Sequence, residues 1–336
     1  MPYNKTTPDG NFFRLTIQSD ALAENMLGDA DHRDVLVYVP FGHDGKDLPL
    51  LVDLAGFTGS GLAHANWRNF GESLPHRLDR LIAEGELPPV VVAMPDGFTG
   101  LGGNQYVNSK AMGRWEDFLI EDMLPAIEDK FGCGGEGRRG LFGRSSGGYG
   151  AMYHALKYPD VWSVAGVYSA DMGFDRIFLP DMPKALRALA PHEMSFEKFL
   201  KNFEKGPHYK SDDIHALMLL AMGASYDPDP DAYCGVSLPV DLHTCELDSE
   251  KWAAWAAYDP IVMLEEYGNN VKKLKMLWIE CGDQDRFNMV YPARQMHKLL
   301  KKGGIKHTYE EFPDDHFSLD YRYDKSLPQL VKALNS

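Results

Sequence analysis

The chain has 336 residues, 44% hydrophobic and 25% charged, which is enough apolar material for one large α/β core and rules out disorder as a general description. The formal net charge is −15, and the best basic clusters are pairs (Arg138-Arg139, Lys272-Lys273, Lys301-Lys302), so neither nucleic acid nor an anionic membrane surface is an expected partner. No run approaches the roughly 18 apolar residues of a membrane span.

The opening MPYNKTTPDGNFF has no charged segment leading into an apolar one, as a signal peptide would. Cys133, Cys234, Cys245 and Cys281 are scattered without metal-binding spacing. The expectation is a cytoplasmic protein with reduced thiols, periplasmic or secreted only if a leader has been removed.

In chain order, short β-branched or apolar runs bounded by turn residues predict strands at 12–18, 35–39, 49–54, 89–94, 138–142, 163–169, 274–280 and 305–311. Several are continuously apolar, as strands buried on both faces are. The first two have no helical pattern between them, which predicts an antiparallel start. Residues 115–131 have helical period, with Phe118, Leu119, Met123, Leu124 and Ile127 on one face, and 291–304 end in a basic turn and a Gly pair, a helix stop. This alternation predicts an eight-stranded, mostly parallel sheet flanked by helices, in one domain spanning 1–336. Residues 171–258 break the rhythm. They read as short helices without a strand, a helical insertion before the acid-bearing strand and a candidate lid or cap.

The segment Gly143-Arg144-Ser145-Ser146-Gly147 fits G-x-S-x-G between a strand and a helix. A nucleophile on so sharp a turn needs small residues two before and two after it. Only the frame centred on Ser145 has Gly at both positions; centring on Ser146 would put Arg144 there. Ser145 is therefore the candidate nucleophile, and the backbone N–H of Ser146, at the helix start, can face a developing oxyanion.

A serine needs a base, and the base an orienting acid, in the chain order Ser, Asp or Glu, His. After the strand at 274–280 comes CGDQDRF, with Asp283 and Asp285; after the last strand comes FPDDHFSLD, with His316. His316 is the candidate base, since His297 falls in a helix and His307 in a strand. Asp285 is the favoured acid by its spacing from Gly282, with Asp283 the alternative. The loop DLAGFTGSG (53–61), after the third strand, offers the Phe57 N–H as a second oxyanion donor.

Together these pieces resemble the putative-esterase family of the α/β-hydrolase superfamily, which includes esterase D, feruloyl esterases and the antigen 85 mycolyltransferases. VLVYVPFG, LAGFTGSG, VVAMPDGFTG, YVNSKAMGRWEDFLIEDMLPAIEDKFG, LFGRSSGGYGAM, CGDQDRF and DDHF carry the resemblance in order. It implies an α/β-hydrolase fold, a Ser145–Asp285–His316 triad, and oxyanion N–H groups from Phe57 and Ser146. The sequence departs from the family pattern at Arg144 and Ser146, where His and Met are usual, and at Ala55, where the oxyanion loop usually has His.

The expected chemistry is hydrolysis of a small-molecule carboxylic ester through an acyl-enzyme, with no metal or organic cofactor. The alternatives are acyl transfer from the same intermediate, thioester hydrolysis of the S-formylglutathione type, and an inactive binding protein of this fold. Phe174, Phe178, Met182, Phe196, Trp252 and Trp255 predict either an apolar wall over the site, suiting short to medium acyl or aryl esters, or the insertion's own core. A homo-oligomer is compatible with the sequence.

Overall fold

A computed structural model describes residues 8–206 and 209–336; the reading of the first seven residues as part of a leaderless start lies outside them. The main sheet has eight strands: β1 (Asn11–Gln18), β2 (His32–Val39), β3 (Leu50–Leu54), β4 (Val91–Pro95), β5 (Arg139–Arg144), β6 (Val164–Tyr168), β7 (Met276–Gly282) and β8 (Thr308–Phe312). Their spatial order is β1-β2-β4-β3-β5-β6-β7-β8. The β1–β2 and β2–β4 pairs are antiparallel, and every other neighbouring pair is parallel. Strand order reverses beside β3, so the loops after β3 and β5 diverge there and leave a crevice at the carboxyl ends of the strands.

The longer helices are α1 (Leu74–Ala83), α2 (Leu124–Phe131), α3 (Ser146–Lys157), α4 (Met182–Leu189), α5 (Phe196–Lys205), α6 (Ser211–Tyr226), α7 (Ser249–Ala256), α8 (Pro260–Val271), α9 (Val290–Lys302) and α10 (Tyr323–Leu334). The period of two along each strand sorts the core into two layers. Leu50, Val52 and Leu54 join the larger core with Met152, Met263 and Met296 of α3, α8 and α9. Leu51 and Phe142 face the other way, onto Leu78 of α1 and Leu327 and Leu330 of α10. Every residue of β3, β4 and β6 is buried, which is why those runs are apolar except at Asp53 of β3, whose carboxylate bonds His64. β1 is an edge strand, and most of it is exposed.

Three local differences from the sequence reading have physical causes. A single helical turn, Asp20–Ala23, lies between β1 and β2; it is too short to cross the sheet, so the pair stays antiparallel. Residues 115–131 are not one regular helix: Phe118–Met123 form a π-helical stretch before α2. Pro125 has no N–H to donate back to Glu121, and the widened turn precedes that gap. The predicted apolar face survives, with Phe118, Leu119, Met123, Leu124 and Ile127 all buried. His307 falls just before β8 rather than within it.

Between β6 and β7 the chain runs through α4 to α8. α6 is buried nearly all round from Ala216 to Tyr226, as a helix inside a core must be. An aromatic stack joins this region to α3: Tyr226 lies 5.1 Å from Phe174, 5.2 Å from Tyr258 and 5.8 Å from Tyr149, ring centre to ring centre. The Tyr149 hydroxyl also donates to the Tyr258 carbonyl at 3.0 Å. The Asp259 carboxylate closes the base of the region. It accepts from the Gly173 and Phe174 N–H groups at 2.9 and 2.8 Å while capping α8 through the Ile261 N–H. No helix among the described residues is long and apolar enough to cross a membrane.

Candidate active site

β5 ends at Arg144, and α3 begins two residues later, with Ser145 alone in the turn. Ser145 has φ 58° and ψ −125°, a strained combination for a side-chain-bearing residue. Two backbone bonds hold it there: its N–H donates to the Tyr168 carbonyl at 3.0 Å, and its carbonyl accepts from the Tyr149 N–H at 2.8 Å. The glycines are required by contact. A Cβ on Gly147 would lie 1.9 Å from the Leu54 carbonyl oxygen, and one on Gly143 would lie 2.5 Å from the same atom. Ser146 occupies the first turn of α3, where a backbone N–H has no carbonyl one turn earlier to receive it.

The loop after β3 packs on this elbow, since a Cβ on Gly56 would lie 3.0 Å from the Arg144 carbonyl oxygen. Gly56, Phe57 and Ser145 line one cavity. Three tethers fix the loop: the Tyr106 hydroxyl donates to the Ala55 carbonyl at 2.7 Å, the Thr58 N–H donates to the Gly102 carbonyl, and His64 Nδ1 bonds Asp53 Oδ2 at 2.5 Å. The buried Asp53, acting chiefly by Coulomb attraction, raises the pKa of His64 at the rim of the cavity against the opposing effect of its burial.

His316 and Asp285 meet where the loops after β7 and β8 touch. Asp283 N–H donates to the Phe312 carbonyl and Gln284 N–H to the Asp314 carbonyl, and Arg286 pairs with Asp315. His316 Nδ1 is 2.7 Å from Asp285 Oδ2, and both residues are buried. The other Asp285 oxygen accepts from the Phe287 N–H at 2.9 Å and the Met289 N–H at 3.4 Å, which leaves Oδ2 facing the imidazole. Asp283 is exposed and is not bonded to His316. The His316 ring is gripped edge-on by Phe287 and Phe317, at 4.7 and 5.2 Å.

The structure thus brings Ser145, Phe57 and His316 onto one cavity of about 640 Å³, with Asp285 behind the histidine and Ser146 behind the serine. Its apolar wall includes Ile177, Phe178, Pro180, Ile214, Met218, Phe287 and Met289. Of the six insertion residues expected there, only Phe178 lines the cavity. Phe174, Met182 and Trp255 are fully buried, and Phe196 and Trp252 pack against the core. The largest side chains took the driest positions, inside the aromatic stack.

The sequence reading missed Asp171, Arg144 and His64, all of which line the cavity. Arg144 is bonded to Asp320 at 3.3 Å. Asp171 follows directly on β6, and the Ser146 hydroxyl donates to it at 3.0 Å. The Ser146 side chain therefore has a bonded partner, although the sequence analysis assigns only its backbone N–H a role. The position just past a strand's C-terminal end was the available signal for Asp171; His64 had none. Among the described residues, no group of three or more His, Cys, Asp or Glu side chains is arranged to hold a metal ion.

The fold and a family match agree. Two esterases of Mycobacterium tuberculosis, Rv1288 (strain H37Rv) and MT1326 (strain CDC 1551), are 34% identical over 92 residues. That stretch covers 27% of this chain but only 20% of theirs, so the chain matches about a fifth of the length of these relatives. Among solved structures, a ferulic acid esterase superposes with a TM-score of 0.62 at 17% identity, covering 97% of this chain and 98% of its own. S-formylglutathione hydrolase FrmB of Staphylococcus aureus gives 0.58 at 14% identity, covering 98% and 100%. A ferulic acid esterase of Anaeromyces mucronatus, solved with ferulic acid, gives 0.58 at 16%, covering 98% and 94%. At these identities the likeness establishes the α/β-hydrolase fold. The family model described as Putative esterase matches residues 30–334, and the chain belongs to that family.

Proposed function

We propose that the chain hydrolyses carboxylic esters through Ser145, His316 and Asp285. The observation that carries this reading is the buried Asp285–His316 pair, 2.7 Å apart, opening onto the same cavity as a serine held on a strained strand-to-helix turn. His316 Nε2 takes the proton from Ser145 Oγ as that oxygen attacks the ester carbonyl. The Phe57 and Ser146 N–H groups receive the oxyanion, each worth about 3 kcal/mol of barrier. The imidazolium then protonates the leaving alkoxide, and the alcohol departs from an acyl-enzyme. Water attacks by the same sequence and releases the acid. Asp285 holds the tautomer with the proton on Nδ1 and stabilises the imidazolium.

The cavity's size and apolar wall suit short to medium acyl or aryl esters, and the structural likeness to an esterase solved with ferulic acid is consistent with an aromatic acyl group. The test is a p-nitrophenyl ester series of increasing acyl length with wild type, Ser145→Ala and His316→Ala. Wild type should turn over members of the series, and each variant should lose at least about 10³-fold in kcat. Inert wild type, or an active Ser145→Ala, overturns the reading.

A further inference from the structure

The catalytic residues leave one charged group of the cavity unexplained. Asp171 is 1% exposed and lines the cavity beside Ser145 and His316, just past β6, between the strands that end in the elbow and in Asp285. A relay of hydrogen bonds converges on it. The Tyr226 hydroxyl donates to Gln105 Oε1 at 3.2 Å, Gln105 Nε2 donates to Ser146 Oγ at 2.8 Å, and the Ser146 hydroxyl donates to Asp171 Oδ2 at 3.0 Å. The Ser146 proton is thereby committed, and the carboxyl is the terminal acceptor of the relay.

Among the described residues, no donor is bonded to the other oxygen, Oδ1, and no cation pairs with the group. The cavity's basic side chains are engaged elsewhere: Arg144 with Asp320, Arg176 with Asp175, Lys184 with Asp181 and Arg286 with Asp315. The carboxyl thus keeps acceptor capacity free on the side that lines the cavity, where a donor on a ligand can use it. Burial accordingly pushes its pKa up to about 6, against the opposing effects of the Ser146 bond and His316 and with a smaller push from Asp285. A group acting only as a prop for Ser146 would need no opening onto the cavity.

We propose that Asp171 is a specificity-determining residue that accepts a hydrogen bond from a hydroxyl or ammonium group carried by the ester substrate near its scissile carbonyl. This rests on the esterase reading above. With Ile177, Phe178, Met218 and Met289 forming the apolar wall, a substrate lacking such a donor leaves Oδ1 unpaired in a desolvated site, the situation in which enzymes discriminate most strongly. Substrates with a carboxylate at the same position are repelled.

The test is a set of matched esters followed by pH-stat titration. One arm varies the acyl part: ethyl butyrate, ethyl 3-hydroxybutyrate and ethyl 3-aminobutyrate. The other varies the alcohol: butyl butyrate and 4-hydroxybutyl butyrate. Wild type should prefer the donor-bearing member in at least one arm by about tenfold or more in kcat/KM, a difference of about 1.4 kcal/mol, and the arm that responds identifies the side of the ester Asp171 reads. If the acyl arm responds, D171N, whose amide oxygen can still accept from Ser146, should keep the hydroxyl preference and lose the ammonium preference. D171A should bring every ratio to about one. Equal kcat/KM across both arms in wild type, or an unchanged preference in D171N and D171A, overturns the proposal while leaving the esterase reading intact. If wild type cleaves none of the esters, plain or donor-bearing, the esterase reading falls, and this inference falls with it.

Discussion

The carboxyl edge of the sheet and the helical region between β6 and β7 are built on different principles. At the edge, each chemical group is held by a short backbone device: a strained turn for Ser145, an aspartate turn for Asp285, and crossed loop bonds that carry His316 to it. These devices fix direction and contribute little packing. In the helical region the reverse holds. Phe174, Tyr226, Trp255 and Tyr258 are locked to one another and to Tyr149 of α3 by ring contacts, with the Asp259 carboxylate as the polar clasp at the region's neck. Substitutions at the edge should therefore remove activity with little loss of stability. Those in the helical region should do the opposite.

One substitution should fail on both counts, because it lies where the two principles meet. Gly147→Ala forces a methyl group to within 1.9 Å of the Leu54 carbonyl, and should cost roughly 3 kcal/mol or more and abolish turnover. Soluble yield and thermal melting would show it. Asp285→Asn should lower kcat by about 10⁴-fold with a small change in melting temperature, while Asp283→Asn, at an exposed position, should change kcat less than about twofold. Equal losses in the two variants would break the assignment of the acid.

Trp255→Ala empties a fully buried site and should cost about 3–5 kcal/mol, while the folded fraction keeps its kcat. A large loss of kcat per folded molecule would show that the two regions are coupled. Trp255→Phe should be far milder, within about 1.5 kcal/mol, because the indole N–H is already buried without a partner.

A further test sharpens the comparison through pH. The Asp171 pKa rises to about 6 in the fold from about 3.9 in an unfolded chain. The native state therefore holds the proton that the unfolded state has lost, and stability falls as pH rises from about 4 to about 6. Asp171→Asn should flatten that part of the stability profile, read by urea melts at pH 4, 5 and 6. An unchanged slope would mean that the carboxyl does not titrate in this range.

The edge was legible in sequence because its devices are local. Glycines two residues either side of Ser145, and an aspartate and a histidine just past predicted strands, can be recognised without knowing what packs on them. Sequence favours Asp285 over Asp283 only by spacing, because both lie in the same turn, and burial and the His316 contact are what separate them. Asp171 also lies just past a predicted strand, but that position alone does not reveal its role. Its meaning depends on Ser146, on Gln105 and on Tyr226 far along the chain, and no spacing rule links those positions. The same holds for the wall of the cavity. Aromatic content identified a packed region, but which rings face the cavity and which face each other is decided by the whole stack. Pro125 explains the π-helical stretch ahead of α2 only once the hydrogen bonds it disrupts are known.

Asp259 has a consequence for how this architecture can vary. A single carboxylate receives the N–H groups at the entrance of the helical region and caps the helix that leads out of it, so the two ends of that long excursion meet at one point. The entropy of closing a loop grows only with the logarithm of its length, by about 0.6 kcal/mol per doubling. A segment clasped at its neck can therefore be lengthened, shortened or exchanged at small thermodynamic cost, provided the residue at the neck is kept. The sheet beneath it need not change, and the part of the cavity wall that this region supplies becomes separately replaceable.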